Sequence, residues 1–248
     1  MLEMMRRVTR PARRATFPAR RWLANSIYTP PALPPEMTSI AFSSSGEDVM
    51  AVSWLRSSGI DLSTVRYLDI GAAEPKRLSN TYLLYTLGAS GVLVEPDPDQ
   101  VHELRSARSR DTVLSAAIAF DDRRRAPLAR MRRRVFNTFL EGHAEKIIAA
   151  SSGWPGNQQE SIVDRIEVDL LPINDVIERY MGGVAPDFLS IDTEGCDFDI
   201  LRSLDLARFR PRLICIEPDQ PVHEFAKLLE PLGYLLVCPT PDNLMFLR

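Results

Sequence analysis

Arg66-Tyr67-Leu68-Asp69-Ile70-Gly71 is the most informative segment for the fold of this chain, and Gly91-Val92-Leu93-Val94-Glu95 completes its pattern. Each is a short apolar run that ends on an acid or a glycine, which is typical of a buried parallel strand that meets a ligand loop. Between them, Ser79 and Asn80 are good helix caps and precede apolar residues at helical spacing. The pattern predicts a βαβ unit with a glycine turn after its first strand and an acid at the tip of its second.

The turn indicates which ligand the unit binds. A dinucleotide fingerprint needs further glycines after Gly71, but this chain has Ala72, Ala73 and then Glu74, an acid where phosphate would lie. A carboxylate-lined pocket favours a ligand that is cationic and carries ribose without phosphate. S-adenosylmethionine fits that description. Taken singly, Asp69 and Glu95 are a turn cap and a surface acid, but at the tips of adjacent strands they favour a site.

Length, composition, net charge and cysteine content limit the class of protein. The 248 residues are 45% hydrophobic and 25% charged, enough for one sizeable α/β domain. A net charge of −3 gives no global attraction to nucleic acid, and no apolar run approaches the roughly 20 residues of a membrane span. Cys196, Cys215 and Cys238 include no C-x-x-C pair, which argues against a disulfide framework or zinc site and predicts a reducing compartment, the cytoplasm.

Composition divides the chain into an arm and a domain. Residues 1–37 are basic and then proline-rich, and we expect an arm and linker there. The arm resembles an organelle transit peptide, and it also suits peripheral contact with a membrane surface or a partner, or a frayed helix without a role. Residues 38–248 are predicted to form a single domain with a variable insert at about 120–160. The arginine-rich part of the insert, residues 123–134, is expected to be a solvated hairpin or loop.

Apolar segments later in the chain again alternate between strand and helix patterns, which predicts a doubly wound sheet. We expect a third strand over Thr112–Ile118 and further strands at Ile162–Leu171, Asp187–Asp192 and Arg212–Glu217. The last two expected strands, near residues 234–238 and 243–247, are joined by a short turn, which indicates an antiparallel closing hairpin.

Four predicted strands lead into acids that we expect to meet at one edge of the sheet, at its switch point. They are Asp69, Glu95, the pair Asp192-x-Glu194 and the pair Glu217-x-Asp219. Asp192 is placed to act as a base on an acceptor. Alternatively, Asp192, Glu217 and Asp219 hold one Mg²⁺, which prefers carboxylate oxygens. Capping of the next helix is the simpler interpretation of Asp192-Thr193-Glu194-Gly195. His143 is a further candidate base, although a lone helical histidine is usually incidental.

Seven motifs in order resemble the FkbM-type S-adenosylmethionine-dependent methyltransferases, from about Ser43 to the C-terminus. They are Ser45-Gly46-Glu47-Asp48, Asp69-Ile70-Gly71-Ala72, Ser79-Asn80-Thr81, Val94-Glu95-Pro96-Asp97-Pro98, Asn137-Thr138-Phe139, Ile191-Asp192-Thr193-Glu194-Gly195 and Ile216-Glu217-Pro218. The resemblance implies a Rossmann-like class I methyltransferase sheet of about seven strands with the last strand antiparallel. It also implies O-methylation of hydroxyls on sugars, glycans or polyketide-type metabolites. The family usually has serine where this chain has Asn137.

The resemblance also implies residue roles. The cofactor contacts it implies are Asp69, Gly71 and Ala72 at the methionine part, Glu95 with its neighbour Pro96 at the ribose, and Ser115 and Ala116 near adenine. Asn80, Thr81 and Asp192 would face the reacting end.

The sequence thus predicts an S-adenosylmethionine-dependent O-methyltransferase that acts on a hydroxyl of a small molecule or glycan. One alternative is a nicotinamide-dependent oxidoreductase on a similar sheet. Another is a non-catalytic module that binds a partner or membrane surface through the two arginine clusters. The acceptor, the metal dependence and the oligomeric state are not encoded in any readable motif.

Overall fold

A computed structural model describes residues 40–154 and 159–248. The predicted arm and linker, residues 1–37, lie outside this part of the chain. The strands are β1 (Arg66–Ile70), β2 (Ser90–Glu95), β3 (Thr112–Ser115), β4 (Ala117–Ala119), β5 (Arg125–Met131), β6 (Ile162–Pro172), β7 (Phe188–Ile191), β8 (Leu213–Ile216), β9 (Leu235–Pro239) and β10 (Leu244–Leu247). The α-helices are α1 (Glu47–Ser57), α2 (Tyr82–Thr86), α3 (Pro98–Ala107), α4 (His143–Ser151), α5 (Ile173–Tyr180), α6 (Asp197–Ser203) and α7 (Val222–Leu229).

The main sheet has seven strands in the order β3-β2-β1-β7-β8-β10-β9. All neighbours pair in parallel up to β8, whereas β10 is antiparallel to both β8 and β9. The expected doubly wound sheet with an antiparallel last strand is therefore confirmed. The order reverses between β1 and β7, so the carboxyl ends of these strands border the crevice where ligands bind in such sheets.

Helices cover both faces of this sheet, and residue alternation along β1 decides which side chain meets which layer. Leu68 and Ile70 pack in the core with α5, α6 and α7. Tyr67 packs on the opposite face with α1, α2 and α3. Asp69 therefore shares the face of Tyr67.

The insert builds a second sheet in the order β4-β6-β5, in which β5 is antiparallel to β6. Two expectations are corrected here. The strand expected over Thr112–Ile118 is two strands that belong to different sheets, β3 and β4. The arginine-rich stretch is not a solvated loop, because β5 buries Ala126, Leu128 and Met131.

Long arginine side chains conceal the period-two apolar pattern of β5 in the sequence. Most arginines of the stretch form ion pairs with carboxylates, which offset their charge even where the arginine is exposed. The ion pairs are Arg123 with Asp121, Arg125 with Asp169, Arg130 with Asp97, Asp99 and Asp164, Arg133 with Glu160, and Arg134 with Glu103.

In residues 40–154 and 159–248, no helix has the length and apolar character needed to cross a membrane. Cys196, Cys215 and Cys238 are free thiols, and the first two are buried.

Candidate functional site

A cleft of about 460 Å³ opens at the carboxyl ends of β1, β2 and β7. The insert closes one side of it through β5 and the segment that follows. The cleft is lined by Ile70, Gly71, Ala73, Val94, Glu95, Pro96, Ala116, Ala117, Ile118, Leu128, Arg134, Val135, Asn137, Phe139, Asp192, Thr193 and Glu194. Apolar side chains with a few polar groups line it, as is usual for small-molecule sites.

The floor of the cleft is the turn after β1. Gly71 has φ +80°, and a Cβ on it would lie 1.7 Å from the carbonyl oxygen of Asp192. The Gly71 amide donates to the Val94 carbonyl at 2.9 Å, which ties the turn to β2. Ala73 is also in the left-handed region, at φ +45°. The backbone of the turn is therefore bent into a conformation that brings β1, β2 and β7 to one point.

Glu95 stands at the tip of β2 with a fixed orientation. One carboxylate oxygen accepts the Ala73 amide at 3.0 Å, and the other accepts the Asp97 amide at 2.8 Å. Burial raises the pKa of Glu95 to about 7, and the two amide hydrogen bonds oppose that shift. Each carboxylate oxygen can accept a second hydrogen bond. Glu95 therefore fits the two hydroxyls of a ribose.

The wall beside Glu95 is apolar and suits a flat ring. It is formed by Ala116, Ala117, Ile118, Leu128 and Phe139, all of which are buried.

The segment that carries Phe139 is anchored by Asn137. Its side-chain oxygen accepts the Met131 amide at 2.8 Å, and its nitrogen donates to Asp97 at 2.9 Å. Asn137 thus positions the insert against the acid that follows Glu95.

The loop after β7 forms the other wall, and the first acid of α6 holds it. Asp197 accepts the Thr193 amide at 2.8 Å and the Gly195 amide at 3.2 Å. Thr138 donates to the carbonyl oxygen of Glu194 at 3.1 Å. Glu194 has φ +58°, an uncommon conformation for a non-glycine residue, and such strain is concentrated at functional sites.

Three carboxylates converge at this wall. Asp192, Glu194 and Glu217 each place an oxygen within 4.8 Å of the others. Burial, and then the charge of Asp69, raise the pKa of Asp192 to about 6. Burial and the neighbouring acids raise the pKa values of Glu194 and Glu217.

Asp219, the third predicted metal ligand, lies elsewhere. Its carboxylate accepts the Phe198 amide at 3.3 Å, at the start of α6. The structure therefore brings two of the three predicted ligands together and adds Glu194, while Asp219 caps a helix.

The predicted contacts Asp69 and Thr81 lie beneath the cleft rather than in it. Thr81 donates to Asp69 at 2.6 Å and accepts from the guanidinium of Arg108 at 3.1 Å. Asn80, also predicted to face the reacting end, donates to Ser190 at 3.2 Å. These contacts indicate that Thr81 and Asn80 position β1 and β7 rather than touch reacting atoms.

Of the predicted cofactor residues, Gly71, Glu95, Pro96, Ala116 and Asp192 line the cleft, whereas Asp69, Ala72 and Ser115 do not. Sequence reasoning missed the wall from β5 and residues 134–139, and it placed Glu194 at the sheet edge without naming it as a ligand or cofactor contact. The Asn137-Thr138-Phe139 motif was the available signal for that wall.

His143 reaches the same loop from α4. A Cβ on Gly195, which has φ +111°, would lie 2.5 Å from Cε1 and 2.6 Å from Nδ1 of His143. Burial, and then the charge of Lys146, lower the pKa of the imidazole. The lowered pKa favours the neutral imidazole, and the ring lies against Gly195 in the loop that carries Glu194.

The family model described as the methyltransferase FkbM domain matches residues 69–236, more than half of the chain. Among solved structures, the chain is similar to a TehB-like SAM-dependent methyltransferase from Corynebacterium glutamicum. The two are 10% identical, the alignment covers 82% of this chain and 97% of that chain, and the TM-score is 0.36. No curated protein matches the chain significantly.

Proposed function

We propose that this chain, which belongs to the FkbM methyltransferase family and is an S-adenosylmethionine-dependent methyltransferase, transfers the methyl group to a hydroxyl. The acceptor class is a sugar, a glycan or a secondary metabolite. The observation that carries the proposal is the pairing of two features across one cleft. Glu95 offers a fixed carboxylate to a ribose on one side, and the carboxylates around Asp192 stand on the other.

The cleft fits the cofactor in three parts. Glu95 accepts hydrogen bonds from the ribose hydroxyls, and the apolar wall of Ala116, Ile118 and Phe139 packs on the adenine. The Gly71 turn borders the methionine part, where the acids offset the charge of the sulfonium and ammonium groups. When bound, the cofactor supplies an electrophilic methyl group on sulfur.

A hydroxyl acceptor needs help that an amine does not, because its proton must leave as the oxygen–carbon bond forms and the carbon–sulfur bond breaks. Asp192 activates the hydroxyl, either by accepting that proton or by holding a cation that acidifies it. With a pKa near 6, the Asp192 carboxylate is mostly ionised at pH 7 to 8 and can accept a proton. Positioning of the acceptor supplies much of the remaining acceleration.

We place the enzyme in the cytoplasm, which the free buried thiols of Cys196 and Cys215 support. Its partner is the small-molecule or glycan acceptor, with no nucleic acid. The ion pairing of the arginine-rich insert weakens the case for a non-catalytic basic module. Membership of a methyltransferase family weighs against a nicotinamide enzyme.

Calorimetric titration with S-adenosylhomocysteine tests the cofactor site, with an expected affinity in the micromolar range, on the order of −8 kcal/mol. Transfer of a labelled methyl group to matched panels of hydroxyl and amine acceptors then tests the chemistry. Label on hydroxyl acceptors, resistant to mild base, supports O-methylation. Label confined to amines or carboxylates overturns the O-specific proposal, and absence of cofactor binding overturns the site.

A further inference from the structure

Residues of β1, β7, β8 and β10 are paired side by side in one row across the sheet, next to the edge that borders the cleft. Ile191 is paired with Ile70 and with Ile216, and Leu244 is paired with Ile216. The ladder continues one residue further, because the Asp192 amide donates to Ile70 and the Glu217 amide to Ile191, each at 3.0 Å. The next position therefore holds Gly71, Asp192, Glu217 and, on β10, Asn243. Paired positions present their side chains on the same face.

That face is the one covered by α1. Cys215 lies two residues before Glu217, and Met245 lies two residues after Asn243. Both Cys215 and Met245 belong to the core beneath α1. The carboxylate of Glu47 in α1 accepts a hydrogen bond from the side-chain nitrogen of Asn243 at 3.4 Å. The charge of Glu47 also contributes to the raised pKa of Asp192. Asp192, Glu217 and Asn243 are thus at adjacent positions on one edge of the sheet, where Asn243 is buried and the two acids are half-buried.

The carboxylates at this edge have no compensating cation from the protein. Within residues 40–154 and 159–248, no Lys, Arg or His forms an ion pair with Asp192, Glu194 or Glu217. Acids this close cannot all ionise unless a positive charge joins them.

Asn243 supplies an independent sign of a ligand. It is 3% exposed, and its side-chain oxygen has no hydrogen-bond donor among the described residues. Buried amide oxygens are normally satisfied. This acceptor is on the residue beside Glu217 in register, next to the three carboxylates that approach one another.

We propose that Asp192, Glu194, Glu217 and the Asn243 side-chain oxygen bind one Mg²⁺. Carboxylate and carbonyl oxygens without sulfur or imidazole suit a hard divalent cation. Bound there, the cation would orient an acceptor hydroxyl and lower its pKa, a role that rests on the proposed function.

The test is calorimetric titration of the EDTA-treated full chain with MgCl₂ and with MnCl₂, with thermal unfolding measured in parallel. We expect one cation per chain and a higher melting temperature when it is bound. Asp192→Asn and Glu217→Gln should each weaken binding by at least about tenfold, the loss that even outer-shell partners produce. Asn243→Ala should weaken it less, because that ligand is neutral. Asp219→Asn is the matched control, since this nearby acid caps α6, and it should leave cation affinity unchanged.

Absence of saturable binding and of a thermal shift would overturn the site. In that case protonated carboxyl groups donate hydrogen bonds to the neighbouring carboxylates and to the Asn243 side-chain oxygen. Glu217→Gln should then stabilise the protein regardless of added metal. Binding that survives both Asp192→Asn and Glu217→Gln would place the cation elsewhere and overturn it equally. Titration with S-adenosylhomocysteine in EDTA separates this proposal from the proposed function. If the cofactor product binds but the cation does not, only the cation site is rejected. If the cation binds but the cofactor product does not, only the proposed function is rejected.

Discussion

Gly71 faces the Asp192 carbonyl so closely that a single added Cβ would lie 1.7 Å from that oxygen. The contact joins the turn after β1 to the loop after β7 at the point where the strand order reverses. The turn that forms the floor of the cleft is therefore in direct contact with the loop that forms its acidic wall. A change of side chain in the turn should displace Asp192.

Gly71→Ala should abolish binding of S-adenosylhomocysteine and lower stability by more than the roughly 1–3 kcal/mol of a strained φ alone. The control is Gly59→Ala, which has a similar φ of +75° but no atom within 4 Å of its Cβ. It should cost stability only through strain and keep the affinity. Urea unfolding and calorimetry measure both variants, and equal effects would remove the special role of the Gly71–Asp192 contact.

Cofactor affinity should fall as pH is lowered through about 7, because Glu95 has a pKa near that value and its protonated form accepts fewer hydrogen bonds from the ribose. Glu95→Gln should bind S-adenosylhomocysteine weakly and without that pH dependence, and Glu95→Ala should not bind it while the fold persists. Titrations between pH 6 and 8 decide this (about one pH unit on either side of the pKa). A pH-independent wild-type affinity, or an unchanged affinity in Glu95→Ala, would remove Glu95 from the cofactor site.

The same buried acid should make stability fall as pH rises. The ordinary pKa of Glu95 is 4.5 and burial raises it to about 7, so the folded state holds a proton that the unfolded state releases between these values. The free energy of unfolding should drop across that window by up to about 3 kcal/mol from this group. Glu95→Gln should remove that part of the slope in urea melts at pH 5 and pH 8, and an unchanged slope would contradict the shift.

Arg108→Met should destabilise the protein by about 3–5 kcal/mol, because it leaves Asp111 buried without its cation. Arg108 is 1% exposed and also donates to Tyr67 and to Thr81, the residue that holds Asp69. Arg125→Met is the control, since its pair with Asp169 is exposed and should contribute less than about 1 kcal/mol. Similar unfolding midpoints for the two variants would show that the buried network contributes little.

Gly195→Ala should displace the His143 ring, which lies 2.5 Å from the position of the new Cβ. In a His143→Ala background the clash is absent and only the strain of φ +111° is left. The double-mutant cycle should therefore show a coupling of about 0.5–3 kcal/mol, with the second change costing less than it does alone. Additive effects would mean that the ring and the loop move independently.

The sheet and its ligand edge follow from local sequence patterns. Apolar runs that end on Gly71, Glu95 and Asp192 specify buried parallel strands and place acids at their tips, because both features depend on neighbouring residues along the chain. The short turn before β10 likewise predicts the antiparallel last strand.

Which side chains enter the cleft depends on how the elements pack together. Asp69 lies on the same face of the sheet as Glu95 and Asp192 but two residues before the turn at Gly71, so it meets Thr81 beneath the cleft. Glu194 joins Asp192 and Glu217 because the loop after β7 bends back, while Asp219 is drawn to the start of α6. The apolar wall from β5 lies far from Glu95 in sequence, and only the packing of the second sheet against the first brings them together.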